Sequence, residues 1–164
     1  MIEEMGNRPV LIFGCGNVLF GDDGFGPAVI AYLEEHHCLP DSVLAIDAGT
    51  AISGLLFDLL LLPAKPELVV IVDAFAQAGR VPGEVFSMAL EHLPAIKSGD
   101  FGLHQFPSVN MLQELQDEAG VEVRILAVQV ADLPDRVRPG LSAAVAAAVP
   151  EVCTRLLHWI GGMG

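Results

Sequence analysis

Residues 14–26, GCGNVLFGDDGFG, follow the apolar run 10–13, VLIF. A glycine turn leaves a hydrophobic run here and delivers two adjacent acids, Asp22 and Asp23, to the start of a helix. A bare glycine turn in that place suggests phosphate binding, because a helix N-terminus attracts anions. Two fixed carboxylates repel a pyrophosphate and suit a cation better. Gly14, Gly16 and Leu19 occupy the places of the three glycines in the dinucleotide fingerprint, so the third glycine is missing. Asp47 stands about where a ribose-binding acid would lie, which keeps a nucleotide-binding oxidoreductase as a lesser alternative. The simplest structural role for Asp22 or Asp23 is to cap the following helix, with Pro27 in its first turn.

Outward from this stretch, continuous apolar runs alternate with segments of helical period. Strands are predicted at residues 10–13, 43–46, 68–72 and 123–128, and helices at 27–35, 53–61, 108–118 and 142–158, with Val29 and Leu33 facing inward. Residues 84–89 read as a further strand at the sheet edge, entered through the Pro82–Gly83 turn. The alanine-rich stretch 143–149 suits a helix packed closely on the sheet. The pattern predicts an α/β fold in one domain: an open, mostly parallel sheet with helices on both faces, a three-layer αβα arrangement.

The 164 residues are 52% hydrophobic, with mean hydropathy +0.54, enough for a well-buried core. The formal charge of -13 argues against nucleic acid or anionic lipid as a partner and favours a cationic surface or a metal. Cys15, Cys38 and Cys153 form no CxxC pair and read as small buried hydrophobes. The acidic start MIEEMGNRP lacks the basic region of a secretory signal. No uninterrupted apolar stretch approaches the ~20 residues that span a bilayer. The expectation is a cytoplasmic protein with no membrane partner.

The predicted strands make the acids informative. Asp47 ends the second and Asp73 the third, while Asp22 and Asp23 follow the first, so parallel strands gather four carboxylates at one edge. Open α/β sheets bind ligands at that edge. Asp73 follows the run 68–72, and a carboxylate there is costly to bury unless paired or metal-bound. Among five histidines, His104 in DFGLHQFP is the best further ligand; the alternative is an ordinary hydrogen-bonded histidine. His36, His37, His92 and His158 read as solvent-facing or cap-adjacent. Asp47, Gly49 and Thr50 form a strand-to-helix loop beside this site and are expected to contact substrate, Gly49 by allowing close backbone approach. The plainer alternative is that Asp47 or Thr50 caps the next helix.

Over nearly its whole length the chain resembles the hydrogenase maturation endopeptidases, which trim the large subunit of nickel-iron hydrogenases. The resemblance rests on GCGNVLFGDDGFG at 14–26, DAGT at 47–50, Asp73 with Ala74, His104 in HQF, and LSAAV at 141–145. The first block is the specific one. It implies a single peptidase domain over 1–164, with an open α/β sheet flanked by helices. It also implies that Asp23, Asp73 and His104 are the metal-binding and catalytic positions. Residues 99–110, GDFGLHQFPSVN, are similar to the branch serving methanogen hydrogenases that reduce a deazaflavin.

The chemistry this resemblance implies is an aspartic-type endopeptidase activity. The chain has neither a serine or cysteine nucleophile motif nor an HExxH helix. The implied substrate is the precursor of the large subunit, cut after nickel insertion, so that loss of a C-terminal extension activates the hydrogenase. Nickel, supplied by the substrate, is the implied metal. Two carboxylates and an imidazole suit a divalent first-row metal, which polarises a scissile carbonyl and lowers the pKa of bound water. Asp22 or Asp47 then serves as an orienting group or general base. A nickel-dependent docking chaperone without proteolysis would use the same ligands.

Overall fold

The computed structural model describes residues 1–93 and 106–162. After a short N-terminal helix α1 (Ile2–Gly6), the chain runs β1 (Val10–Cys15), α2 (Phe25–His36), β2 (Val43–Gly49), α3 (Ile52–Leu61) and β3 (Leu68–Phe75). It continues through β4 (Val85–Met88), α4 (Phe106–Asp117), β5 (Glu122–Gln129) and α5 (Ala143–Gly161). Short 3-10 turns occupy Gly21–Gly24 and Leu90–His92. The five strands form one sheet in the order β2-β1-β3-β5-β4, parallel except for β4, which runs antiparallel to β5 at the edge. The expected three-layer α/β architecture is present.

Side-chain alternation along the strands divides the core. Leu11, Phe13, Val69 and Ile71 pack under α1, α3 and α4 with Met5, Leu56, Leu59 and Leu115. Val10, Ile12, Val70 and Val72 face α2 and α5, meeting Val29, Leu33, Val152 and Leu156. Each face joins side chains that the chain separates widely, so the two layers form only with the sheet. α5 is long and apolar enough by length and composition to cross a membrane. Its Val145, Val149, Val152 and Leu156 side is instead buried in the core on the sheet.

The strand order places a topological switch between β1 and β3. β2 lies on one side of β1 and β3 on the other, so the chain turns one way after β1, toward β2, and the other way after β3, toward β5 and β4, which opens a crevice at the carboxyl ends. Helix α2 sits very close to this point. A Cβ on Gly26 would lie 2.3 Å from Cys15 N and 2.7 Å from Val72 O, so only glycine lets the helix rest on both strands.

Several sequence expectations change. β2 and β3 continue two residues beyond Asp47 and Asp73, so neither acid ends its strand. Asp73 is paired opposite Ala127 on β5, which carries the ladder further than the apolar run does. α1 was not expected: five residues with one buried side chain, Met5, give too little helical signal. Cys15 and Cys153 are buried as expected, but Cys38 is exposed beyond the end of α2.

Candidate functional site

Asp23 lies in the 3-10 turn that links β1 to α2 and is half-buried. Its Oδ2 accepts the Asn17 N–H at 3.0 Å, and the Asn17 Oδ1 accepts the Leu19 N–H at 3.0 Å. The glycine turn is tied to the end of β2 by the Gly16 N–H, which donates to Gly49 O at 2.9 Å. These bonds fix the turn and give Asp23 a defined direction. They also commit the Asn17 amide to a carboxylate of its own chain, where a phosphate-binding turn would offer such amides to a ligand.

Asp73 reaches the same place from β3. It is 1% exposed, and its Oδ1 accepts the N–H of Ala74 at 2.8 Å. The β1–β3 ladder stops at the Gly14–Val72 pair, so Asp73 stands just past it, over the switch-point crevice. Asp23, Asp73, Gly16, Gly49, Thr50 and Ser108 all line one cleft there, against an apolar wall that includes Ile71 and Phe75. Two carboxylates beside apolar surface attract a cation more strongly than they would in water, because the local dielectric is low.

Not every predicted residue joins them. Asp47 is exposed and lines a separate groove with Val18, Gly24 and Pro27. On β2 it falls in the alternation of Val43 and Ala45, which face α2, whereas Asp73 shares the face of Val69 and Ile71. The four carboxylates therefore lie at one edge but not on one face of the sheet. Gly49, with φ +50, and Thr50 turn back into the cleft. Neither Asp47 nor Thr50 caps α3, whose N-cap is Ala51 without a side-chain bond.

Asp22 does not cap α2 either; Gly24 holds that position with no side-chain cap bond. The Asp22 carboxylate is buried, 1% exposed, and turns away from the cleft toward residues 131–142. His104 lies outside the described residues. Among the described residues no group of three His, Cys, Asp or Glu is placed to hold a metal ion.

Ser108 is a cleft residue that sequence reading passed over. It is 6% exposed, and its Oγ is 2.8 Å from Ser53 Oγ, so two hydroxyls join the first turns of α3 and α4 beside the cleft. A serine before an apolar helical pattern signals a helix start, and that signal hid its place in the site.

Comparison with known proteins gives the family and the fold. The family model for hydrogenase maturation proteases matches residues 27–159. A Methanocaldococcus jannaschii protein named as a hydrogenase maturation protease is 37% identical over 155 residues, 93% of this chain and 97% of its own. The coenzyme F420 hydrogenase subunit delta of Methanothermobacter thermautotrophicus is 35% identical over 155 residues, 93% of this chain and 94% of its own. The solved structure of the hydrogenase maturating endopeptidase HybD from Escherichia coli superposes with a TM-score of 0.79 at 26% identity, covering 96% of this chain and 94% of that one.

Proposed function

From the premise that this chain belongs to the hydrogenase maturation protease family, we propose that it cuts the C-terminal extension from a nickel-iron hydrogenase large-subunit precursor after nickel has been inserted. The observation that carries this reading is the convergence of Asp23 and Asp73 on one cleft at the switch point. Nickel belongs to the substrate in this reading, and it supplies Lewis acidity at the bond to be cut.

The chain's own residues have three tasks. Asp23 and Asp73 offer carboxylate oxygens, and His104 an imidazole nitrogen, to a borderline first-row cation that such a mixed set suits. Each of the two acids already accepts a backbone N–H, which limits rotation of its carboxylate. The Ile71 and Phe75 wall excludes water, so that hydrolysis is restricted to a water held at the carboxylates. Gly49 and Thr50 contact the substrate backbone from the cleft rim, and Asp47 extends that contact around the turn into the neighbouring groove.

Three ligands form only part of a coordination shell, so the precursor must complete it and thereby place its own scissile bond. Specificity then depends on the metal state of the precursor as well as its sequence. The relation to the F420 hydrogenase subunit delta supports a hydrogenase of the deazaflavin-reducing class as the substrate. The cytoplasm is the proposed compartment, and the absence of any disulfide among the three cysteines fits it.

The test compares precursor purified with and without nickel, scored by mass before and after incubation. Loss of the C-terminal peptide from the nickel-loaded form alone is the expected result. Equal cleavage of both forms would overturn nickel recognition, and nickel-dependent binding without loss of mass would make the protein a docking chaperone.

A further inference from the structure

Asp22 and Asp23 are neighbours in one 3-10 turn, yet their side chains serve opposite sides of it. The Asp22 Oδ1 accepts the Ser142 N–H at 2.7 Å; its Oδ2 accepts the Ala131 N–H at 2.9 Å and the Ser142 hydroxyl at 3.0 Å. The Asp132 N–H adds a longer contact at 3.4 Å. All these donors come from the segment between β5 and α5, 109 to 120 residues further along the chain. The same segment grips the turn through its backbone. The Gly21 N–H donates to Arg138 O at 2.9 Å, and the Arg138 N–H donates to Leu19 O at 2.8 Å.

We infer that Asp22 is a positioning residue, which acts through the turn to hold Asp23 at the cleft. A buried carboxylate carries a large desolvation cost, offset only while these donors stay in place. Any displacement of the turn from residues 131–142 therefore opens several charge-assisted bonds at once. Asn17, Asp23 and the start of α2 are bound to that turn, so the penalty resists rotation of the Asp23 carboxylate. A general-base role for Asp22 is incompatible with the geometry, because both oxygens face donors outside the cleft.

The functional half of this inference rests on the reading of Asp23 as a group that touches the substrate's metal. The test therefore has one arm that needs no activity. Asp22→Asn keeps the volume but sets an amide NH2 against N–H and O–H donors. In the full chain, amide hydrogen exchange at Asn17, the donor to Asp23, should quicken by at least about tenfold, while Val69 to Val72 in β3 keep their protection. In the second arm, kcat for nickel-loaded precursor should fall by about 10- to 100-fold with KM changed less, as for groups that orient a ligand. Ser142→Ala, which keeps all three amide donors, should cost less than about threefold in kcat. Unchanged exchange at Asn17 in a folded Asp22→Asn protein would overturn the inference. So would unchanged kcat beside an active wild type. A wild type that leaves nickel-loaded precursor uncut would instead sink the proposed function, and exchange alone would then judge the positioning role. If Asp22→Asn fails to fold, Asp22→Glu, which retains the charge but shifts it by one methylene, is read by the same two measurements.

Discussion

A Cβ placed on Gly16 would lie 1.8 Å from the carbonyl oxygen of Asp23. The backbone of the glycine turn thus packs directly against the backbone of the acid at the cleft, and Gly16 has φ +134, which L side chains rarely adopt. Gly16→Ala should therefore push Asp23 out of the cleft and strain the turn together. The expected cost is at least about 2 kcal/mol of stability, a fall of roughly 5 °C in Tm for a chain of this size, with near-complete loss of precursor processing. Gly79→Ala has positive φ as well but meets nothing within 4 Å, so it should cost only the backbone strain, about 1–2 kcal/mol, and leave processing intact. Thermal unfolding and a processing assay on both variants make the comparison.

Much of the fold is legible because four strands are runs of apolar residues that parallel sheets bury on both faces. Residues 68–72 and 123–128 need no tertiary information to be read so. The strand ends are less legible. Asp73 looks like a terminator by composition, yet β5 extends its ladder past Ala127, and the Ala74 N–H satisfies the acid locally. Pairing partners override the local signal there. The site follows the same division. Asp23 and Asp73 can be found by strand position alone, but the face that Asp47 points to depends on period-two alternation through a strand longer than expected. The bonds of Asp22 are invisible from sequence, since their donors are backbone amides more than a hundred residues away.

Cys153 is the group whose titration should show in stability. It is fully buried between α5 and α2, its Sγ 3.8 Å from Val29 O, and burial pushes its thiol up from 9.0 to about 11. The unfolded chain therefore loses this proton at lower pH than the folded one. Stability from this group is intact below pH 9.0 and is lost as pH rises toward about 11, by an amount on the order of 2 kcal/mol. Urea unfolding of wild type and Cys153→Ala from pH 8 to 11 should show a steeper decline in the wild type. Parallel curves would refute the assignment.

The division of the β2–α3 turn between two surfaces gives separable effects. Thr50 lines the cleft with Asp23 and Asp73, whereas Asp47 lines the groove beside Val18 and Pro27. If both contact the precursor, Thr50→Ala should act near the reacting bond and Asp47→Ala mainly on docking. Asp47→Ala is expected to raise KM by about threefold to tenfold with little change in kcat, the pattern of a uniform binding contact. Thr50→Ala should lower kcat by a similar factor. An Asp47→Ala protein with unaltered folding and unaltered KM would remove Asp47 from the substrate surface.

The buried acid of β3 should trade stability against activity. Asp73 is 1% exposed beside Ile71 and Phe75, where a charge is expensive, and Asn preserves its shape and an oxygen for the Ala74 N–H. Asp73→Asn is therefore expected to fold with Tm equal to or above that of the wild type. Its processing rate should drop by at least about 100-fold, near 2.7 kcal/mol of lost transition-state stabilisation. Asp23→Asn should show the same loss of rate, because both acids serve one cleft. His104→Ala should match them, whereas His158→Ala, in the last turn of α5, should keep wild-type processing. Titration of each variant with nickel or cadmium by calorimetry separates ligand loss from misfolding. Weakened metal binding in Asp23, Asp73 and His104 variants, with His158→Ala unaffected, is the expected pattern. Normal binding and normal processing by Asp73→Asn would dismiss the shared carboxylate site, and with it the placement of the chemistry at the switch point between β1 and β3.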